Sequence, residues 1–414
     1  MFMLIDCDNF FVSCEKVFQP RLKNRPVVVL SNNDGCVVSR SYEAKALGIP
    51  MCSPYFKIEK FLTREGGIAL SSNYELYADM SRRVMSLVGS FFPRMEVYSI
   101  DEAFAEIGNN ENFEHIALVL RNTILRQTGI SVSIGMAPTK TLCKTASELA
   151  KKEPLGKIKL LCDADEIAGV LKHTDVSDVW GVGRRISKEL NFMGIFTALE
   201  LAQTPQQILR RRFSILLAKT ARELQGISCI GTEEAALAKT LICSRSFENE
   251  INSLAELETA IAEFTGHACR RLREQKGMAG GIMTSISTNR FKDRQYSNSR
   301  IVSLGEASCH TPKFIKAARE GLRSIYRPGF GYKKAGVMLL DITPQDTPQR
   351  DFFEDRSAIR KELRLMQAFD DLNRRLGGKT VYFGAQAAGI KHYIKREFKS
   401  SSYTTSWDGL PSVS

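Results

Sequence analysis

Two short stretches set acidic side chains where apolar runs end. Met3-Leu4-Ile5 leads into Asp6-Cys7-Asp8, and Val97-Tyr98-Ser99-Ile100 leads into Asp101-Glu102, after which Ala103-Phe104 turns apolar again. The runs over 95–100 and 103–107 read as strands joined by a tight turn, which can point neighbouring side chains the same way. If Asp6 lies beside that turn, three carboxylates converge. Such a cluster is electrostatically costly unless a hard cation neutralises it, and Mg²⁺ takes oxygen ligands of this kind. An isolated Asp-Glu pair reads equally as a solvated turn. The elements that position these residues decide between the two.

Those elements follow in order. A strand over 3–5 ends at Asp6, and Phe10, Phe11, Cys14 and Val17 then recur at helical spacing until Pro20. Pro26-Val27-Val28-Val29-Leu30 and Cys36-Val37-Val38-Ser39 read as strands around an Asn32-Asn33-Asp34-Gly35 turn, and a helix over 41–47 ends at Gly48. Residues 73–88 and 114–128 are helical in pattern, and 130–136 alternates as a strand. Pro138-Thr139 opens a helix carrying Lys140, Lys144, Lys151 and Lys152, which Glu153-Pro154-Leu155-Gly156 breaks. Strand, helix, hairpin, helix, strand, helix is the ferredoxin-like order, with the first strand beside the hairpin. In that arrangement Asp6 meets Asp101 and Glu102.

Beyond residue 163 the pattern changes to helices with short connections. Trp180-Gly181-Val182-Gly183-Arg184-Arg185 leads one helix, and Met193-Gly194-Ile195 links it to another. This suits a helix-hairpin-helix in which small residues let backbone N–H groups approach a phosphate and Arg184 and Arg185 add charge. A second αβ unit has helices over 255–274 and 313–325 and strands over 281–288 and 334–342. Arg270, Arg271, Arg273, Lys276, Arg290, Lys292 and Arg294 crowd positive charge into it, which suits a duplex backbone better than base edges. The polar stretch 343–354 carries Gln349-Arg350-Asp351-Phe352-Phe353, adjacent aromatics fit to anchor in a partner's apolar pocket. The chain closes with a helix over 357–376, a strand over 380–383 and a basic segment.

Composition narrows the class. A chain of 414 residues is too long for one ordinary core, and 43% hydrophobic content supports folded domains. A formal net charge of +12 favours a polyanionic partner, nucleic acid before membrane. Ten cysteines include no Cys-x-x-Cys pair and the five histidines are scattered, which argues against a zinc site. Cysteines in apolar stretches, such as Cys143 and Cys243, read as reduced thiols in a cytoplasmic protein. Asp6 and Asp8 interrupt any N-terminal signal sequence, and no apolar run reaches membrane-spanning length.

Four blocks, in this order and spacing, resemble the Y-family of translesion DNA polymerases over nearly the whole chain. They are Asp6-Cys7-Asp8-Asn9-Phe10-Phe11, Ser41-Tyr42-Glu43-Ala44-Lys45-Ala46-Leu47-Gly48-Ile49, Tyr98-Ser99-Ile100-Asp101-Glu102-Ala103-Phe104 and Ser133-Ile134-Gly135-Met136-Ala137-Pro138-Thr139-Lys140. Ser31-Asn32-Asn33-Asp34-Gly35-Cys36, Ile242-Cys243-Ser244-Arg245-Ser246-Phe247 and the segment after 355 are similar to a narrower bacterial branch.

The resemblance implies an α+β, multidomain right hand. A ferredoxin-like palm would take 1–20 and 73–165, small fingers 21–72, and a helical thumb with helix-hairpin-helix 166–232. An αβ little finger would take 240–343, a linker with a clamp-binding motif 344–355, and a small C-terminal extension 356–414. The activity implied is error-prone, DNA-directed DNA synthesis past damaged bases in the SOS response, in the bacterial nucleoid. Asp6, Asp101 and Glu102 are then the catalytic carboxylates, which with the Cys7 backbone carbonyl hold two Mg²⁺ ions; deoxynucleoside triphosphates are the substrate. Phe10 and Phe11 match the nucleotide-side aromatics, with Phe11 on the steric gate and Phe10 assigned to packing. Tyr42, Lys45 and Lys151 match positions that grip the triphosphate. Many family members carry arginine where Lys45 stands, and lysine offers a point charge in place of a bidentate fork.

Gly181, Gly183, Arg184 and Arg245 match DNA-holding positions, and Gln349, Asp351, Phe352 and Phe353 match a clamp-binding motif. The implied partners are primer-template DNA, a cleaved UmuD-type dimer, the RecA filament and the sliding clamp, with no membrane. The alternative is a non-catalytic DNA-binding subunit with a polymerase-like fold. A metal-dependent nuclease or cyclase would explain the carboxylates but not the thumb and clamp motifs.

Overall fold

The first strand, β1 (Phe2–Cys7), is apolar but for Asp6 and is buried along its whole length. In the computed structural model it is the middle of a five-stranded sheet. The structure describes residues 1–108, 112–152, 157–231, 237–345, 356–377, 380–386 and 396–409. They divide into two compact units, Met1–Glu234 with Arg396–Ser414, and Ala235–Lys395.

In the first unit β1 is followed by α1 (Phe10–Phe18), β2 (Val27–Leu30), β3 (Val37–Arg40), α2 (Tyr42–Ala46), α3 (Tyr55–Arg64) and β4 (Ile68–Ser71). Next come α4 (Tyr74–Phe91), β5 (Met95–Val97), β6 (Glu102–Glu106), α5 (Phe113–Thr128), β7 (Val132–Ala137), α6 (Lys140–Lys152) and β8 (Ile158–Leu160). The helices α7 (Ala164–His173), α8 (Arg184–Phe192), α9 (Ala198–Gln203), α10 (Gln206–Arg212) and α11 (Ile215–Leu224) complete it. The large sheet has the order β5-β6-β1-β7-β8, so the first strand lies between the hairpin and β7, as the ferredoxin-like order requires. β2, β3 and β4 form a separate three-stranded sheet.

Amphipathic helices close the large sheet. On α4, Leu76, Tyr77, Met80, Val84 and Val88 are buried at helical spacing and join a core with β1 and α5. On α6, Leu142, Cys143, Ala146 and Ala150 are buried, and the first three pack with β1 and the helices after β8. The approach of α6 to β7 requires glycine at 135, where a Cβ would collide with the backbone of Cys143 and Ser147. That close approach brings the lysines of α6 to the sheet.

The second unit contains β9 (Leu241–Ile251), α12 (Leu254–Glu274), β10 (Gly277–Thr288), β11 (Ser297–Ser308), α13 (Thr311–Ile325), β12 (Tyr332–Pro344) and α14 (Arg356–Leu376). Its sheet has the order β11-β10-β12-β9 with α12 and α13 packed on it. β9 and β11 carry no clear apolar alternation in the sequence: β11 is mostly exposed, and β9 buries only Leu241, Phe247 and Ile251 along a largely polar strand. The strand expected over 380–383 is absent. The Val381 N–H donates to Asn373 Oδ1 at 3.0 Å, Phe383 stacks on Phe369, and a 3₁₀ turn follows at Gly384–Gln386. Among the described residues no helix is long and apolar enough to cross a membrane.

Candidate active site

Pairing between β1 and β6 sets Asp6 directly opposite Glu102. The Cys7 N–H donates to the Asp101 carbonyl at 2.9 Å, which stitches the hairpin turn to the end of β1. The turn begins at Ser99, whose hydroxyl donates to Asp101 Oδ1 at 2.6 Å and lies 3.4 Å from Glu102 Oε2. β5 therefore stops at Val97, earlier than the apolar run suggests.

Two lysines of α6 reach these carboxylates. Lys144 Nζ is 2.6 Å from Glu102 Oε1, and Lys151 Nζ is 2.8 Å from Asp6 Oδ2. The neighbouring Lys152 is exposed, so the helix turns Lys151 to the site. Burial, reinforced by the Glu102 carboxylate, pushes the Asp6 carboxyl up to about 7 against the pull of Lys151. Burial opposes ionisation of Glu102 most, but the Lys144 ammonium, joined by Asp6 and Lys151, holds that carboxyl below its ordinary value. Burial drives the Cys7 thiol far up, leaving it neutral and no nucleophile.

Among the described residues no three acidic, histidine or cysteine side chains stand in a ready metal-ligating arrangement. Asp6 and Glu102 are brought together, while Asp101 is tied to Glu102 through Ser99. The donors are nonetheless all oxygen, and Asp6 resists ionisation on this buried edge without added positive charge. That chemistry fits Mg²⁺ better than a softer metal.

Phe11 is half-buried and stacks on Tyr77, with ring centroids 4.5 Å apart and planes at 13°. Phe10 is 3% exposed and packs into the core, so it backs Phe11 and presents little surface to a ligand. Tyr42 and Lys45 lie on α2, with the Lys45 ammonium 5.1 Å from the Tyr42 ring centroid. Burial, then the charges of Arg40 and Lys151, lower the Lys45 ammonium.

Two further cations, Lys144 and Lys157, stand at the site without a role expected from the sequence. Lys157 bridges Asp8 Oδ2 at 2.6 Å and the Tyr42 hydroxyl at 2.7 Å. Lys144 carried a usable signal, since positions 140, 144 and 151 share one face of α6. Lys157 follows a helix breaker and carried none.

Other expected residues lie elsewhere. Gly181 has a φ of +89°, and Gly183 caps α8 without a side chain, leaving Arg184 and Arg185 exposed at that helix start. Met193-Gly194-Ile195 connects α8 toward α9, with Gly194 also at positive φ. Arg245 is exposed on β9, an edge strand of the second unit. Arg273 is withdrawn from the basic group expected there: it pairs with Asp370 at 2.6 Å and donates to the Cys309 carbonyl. Gln349, Asp351, Phe352 and Phe353 lie outside the described residues.

Residues 5–148 match the model of the impB/mucB/samB family, and 238–352 match that family's C-terminal domain. Residues 363–413 match a domain of unknown function. The chain is similar to the protein UmuC of Salmonella typhimurium strain LT2, at 41% identity over 99% of both chains. It is 40% identical to the protein ImpB of Salmonella typhimurium, again over 99% of both. DNA polymerase IV of Desulfatibacillum aliphaticivorans is 26% identical over 94% of this chain and 98% of that one. Among solved structures, a Y-family DNA polymerase chimera of Dbh and Dpo4 superposes with a TM-score of 0.67 at 23% identity, covering 83% of this chain and 99% of that one. An insertion ternary complex of Dbh DNA polymerase gives 0.54 at 22% identity with the same coverage.

Proposed function

The chain belongs to the impB/mucB/samB family, and from that premise we propose that it is a template-directed, error-prone DNA polymerase. It extends a primer past damaged template bases, as in SOS mutagenesis. The observation that carries this reading is the register pair Asp6–Glu102, with Lys151 and Lys144 aimed at it from one helix.

The reaction joins the primer 3′-oxygen to the α-phosphorus of a deoxynucleoside triphosphate, and the bond to the leaving pyrophosphate breaks. Asp6, Asp101, Glu102 and the Cys7 carbonyl would hold two Mg²⁺ ions, which favour the deprotonated hydroxyl and offset charge on the leaving group. Lys151 beside Asp6, with Lys45, Lys157 and the Tyr42 hydroxyl, orients the triphosphate. Phe11, fixed on Tyr77, presents a ring edge to the sugar and excludes a 2′-hydroxyl. Gly183 and Arg184 at the start of α8 hold backbone phosphate, and Arg245 adds a further contact. Working partners are primer-template DNA, a cleaved UmuD-type dimer, a RecA filament and, through 349–353, the sliding clamp.

Primer extension with Mg²⁺ opposite an abasic template site tests the reading, run with and without the clamp, the UmuD-type partner and activated RecA. Products longer than the lesion position are expected. A non-catalytic subunit would bind the DNA and yield no extension with every partner present.

A further inference from the structure

Residues 396–405, inside the stretch that matches a domain of unknown function, lie along the seam between the three-stranded sheet and α1 and α4. The contacts on one side are to the small sheet. Ser71 N–H donates to the Phe398 carbonyl at 3.1 Å, the Phe398 N–H donates back to Ser71 Oγ at 3.0 Å, and the Glu397 N–H donates to buried Asp34 at 3.0 Å. The contacts on the other side are to the helices. Tyr403 stacks on Phe18 at 4.9 Å with planes at 4°, and Lys399 pairs with Glu75 at 3.3 Å. Asn73 Nδ2, at the N-cap of α4, donates to Ser400 Oγ at 2.9 Å.

Ser400 also reaches inward. Its hydroxyl donates to Glu15 Oε1 at 3.1 Å, a residue 385 positions away and fully buried. The Tyr77 hydroxyl donates to the same oxygen at 2.8 Å, and Gln19 donates to the other at 3.3 Å. A buried carboxylate needs such donors, and each one it holds is itself immobilised. Tyr77 is thereby fixed at its hydroxyl, and its ring is the surface on which Phe11 stacks. The chimera structure matches 99% of its own length to 83% of this chain, so this chain carries structure beyond that shared fold.

We propose that the C-terminal segment is a positioning element for sugar selection: Ser400, through Glu15 and Tyr77, fixes the ring that sets the place of Phe11. The proposal rests on the reading of Phe11 as the gate. Ser400 and Tyr77 are positioning residues and touch no reacting atom. A gate ring free to shift would admit a 2′-hydroxyl more readily while hardly changing the fit of a deoxyribose.

The test measures kcat/KM for a deoxynucleotide and for the matching ribonucleotide in the complete chain with its partners. The variants are Ser400→Ala, Tyr77→Phe, the double variant and Phe11→Ala. Phe11→Ala is expected to abolish most discrimination. Ser400→Ala and Tyr77→Phe should each lower the ratio about fivefold, the scale of one ordinary hydrogen bond. The double variant should fall no further than the more affected single variant, because both act through Glu15. If Phe11→Ala collapses the ratio while Ser400→Ala and Tyr77→Phe leave it unchanged, or lower both rates in step, the positioning role is overturned and the gate stands. If Phe11→Ala leaves the ratio unchanged, the gate reading fails and takes the positioning role with it.

Discussion

At the end of β1, largely buried carboxylates each meet a lysine: Asp6 with Lys151, which also pairs with Glu148, Glu102 with Lys144, and Asp8 with Lys157. The four-stranded sheet of the second unit differs. Its edge strands β9 and β11 face solvent, and Arg245 and Arg300 stand exposed on them. Exposed cations in water gain little from any one partner and are screened by salt, yet together they hold a polyanion. Buried matched charges interact strongly, and removing one leaves its partner without compensation. On the proposed reading the two sheets divide reaction from grip: the edge at β1 and β6 serves the chemistry of a few atoms, and the open face adds sequence-independent attraction.

The largest expected effect of breaking this contrast is at the buried edge. Glu102→Gln should lower single-turnover nucleotide incorporation by at least about 10³-fold, on the scale of losing a principal electrostatic group in a reaction centre. Lys151→Ala should raise the KM for the incoming nucleotide by about 10- to 100-fold with a smaller change in kcat, measured by steady-state extension. Mg²⁺ affinity supplies a third test. Asp6 holds its proton up to about 7, and a cation must displace that proton. Affinity measured by calorimetry should therefore weaken as pH falls below about 7 and level off above it.

The smallest effects are in the second unit and separate its matched arginine from its exposed one. Arg273→Ala strands Asp370 and should destabilise that unit by about 3 kcal/mol, read by chemical denaturation, with DNA affinity unchanged. Arg245→Ala should leave stability alone and lower DNA affinity a few-fold. Its log-affinity against log-salt slope should be shallower by about one.

Legibility in the sequence follows the same division. The hairpin at 95–106, β1 and the amphipathic helices could be read because a buried face imposes a period over neighbouring residues. Asp6 could be set beside Glu102 because the element order fixes strand order. β9 and β11 could not be read, since one open face leaves little apolar alternation. Lys157 and Ser400 escaped because their partners, Asp8 and Glu15, are far away in the chain. The residues at 380–383 are β-prone in composition, yet Asn373 and Phe369 engage them from α14 and no strand forms.

The most direct measurement combines primer extension and DNA binding by the Asp6→Asn variant in one reaction. Extension should be lost by at least about 10³-fold while the DNA dissociation constant stays within about twofold of the parent chain, since Asp6 contributes to the reaction edge and not to grip. Extension within a few-fold of the parent chain, with DNA bound equally well, would contradict the assignment of the β1–β6 edge as the catalytic centre.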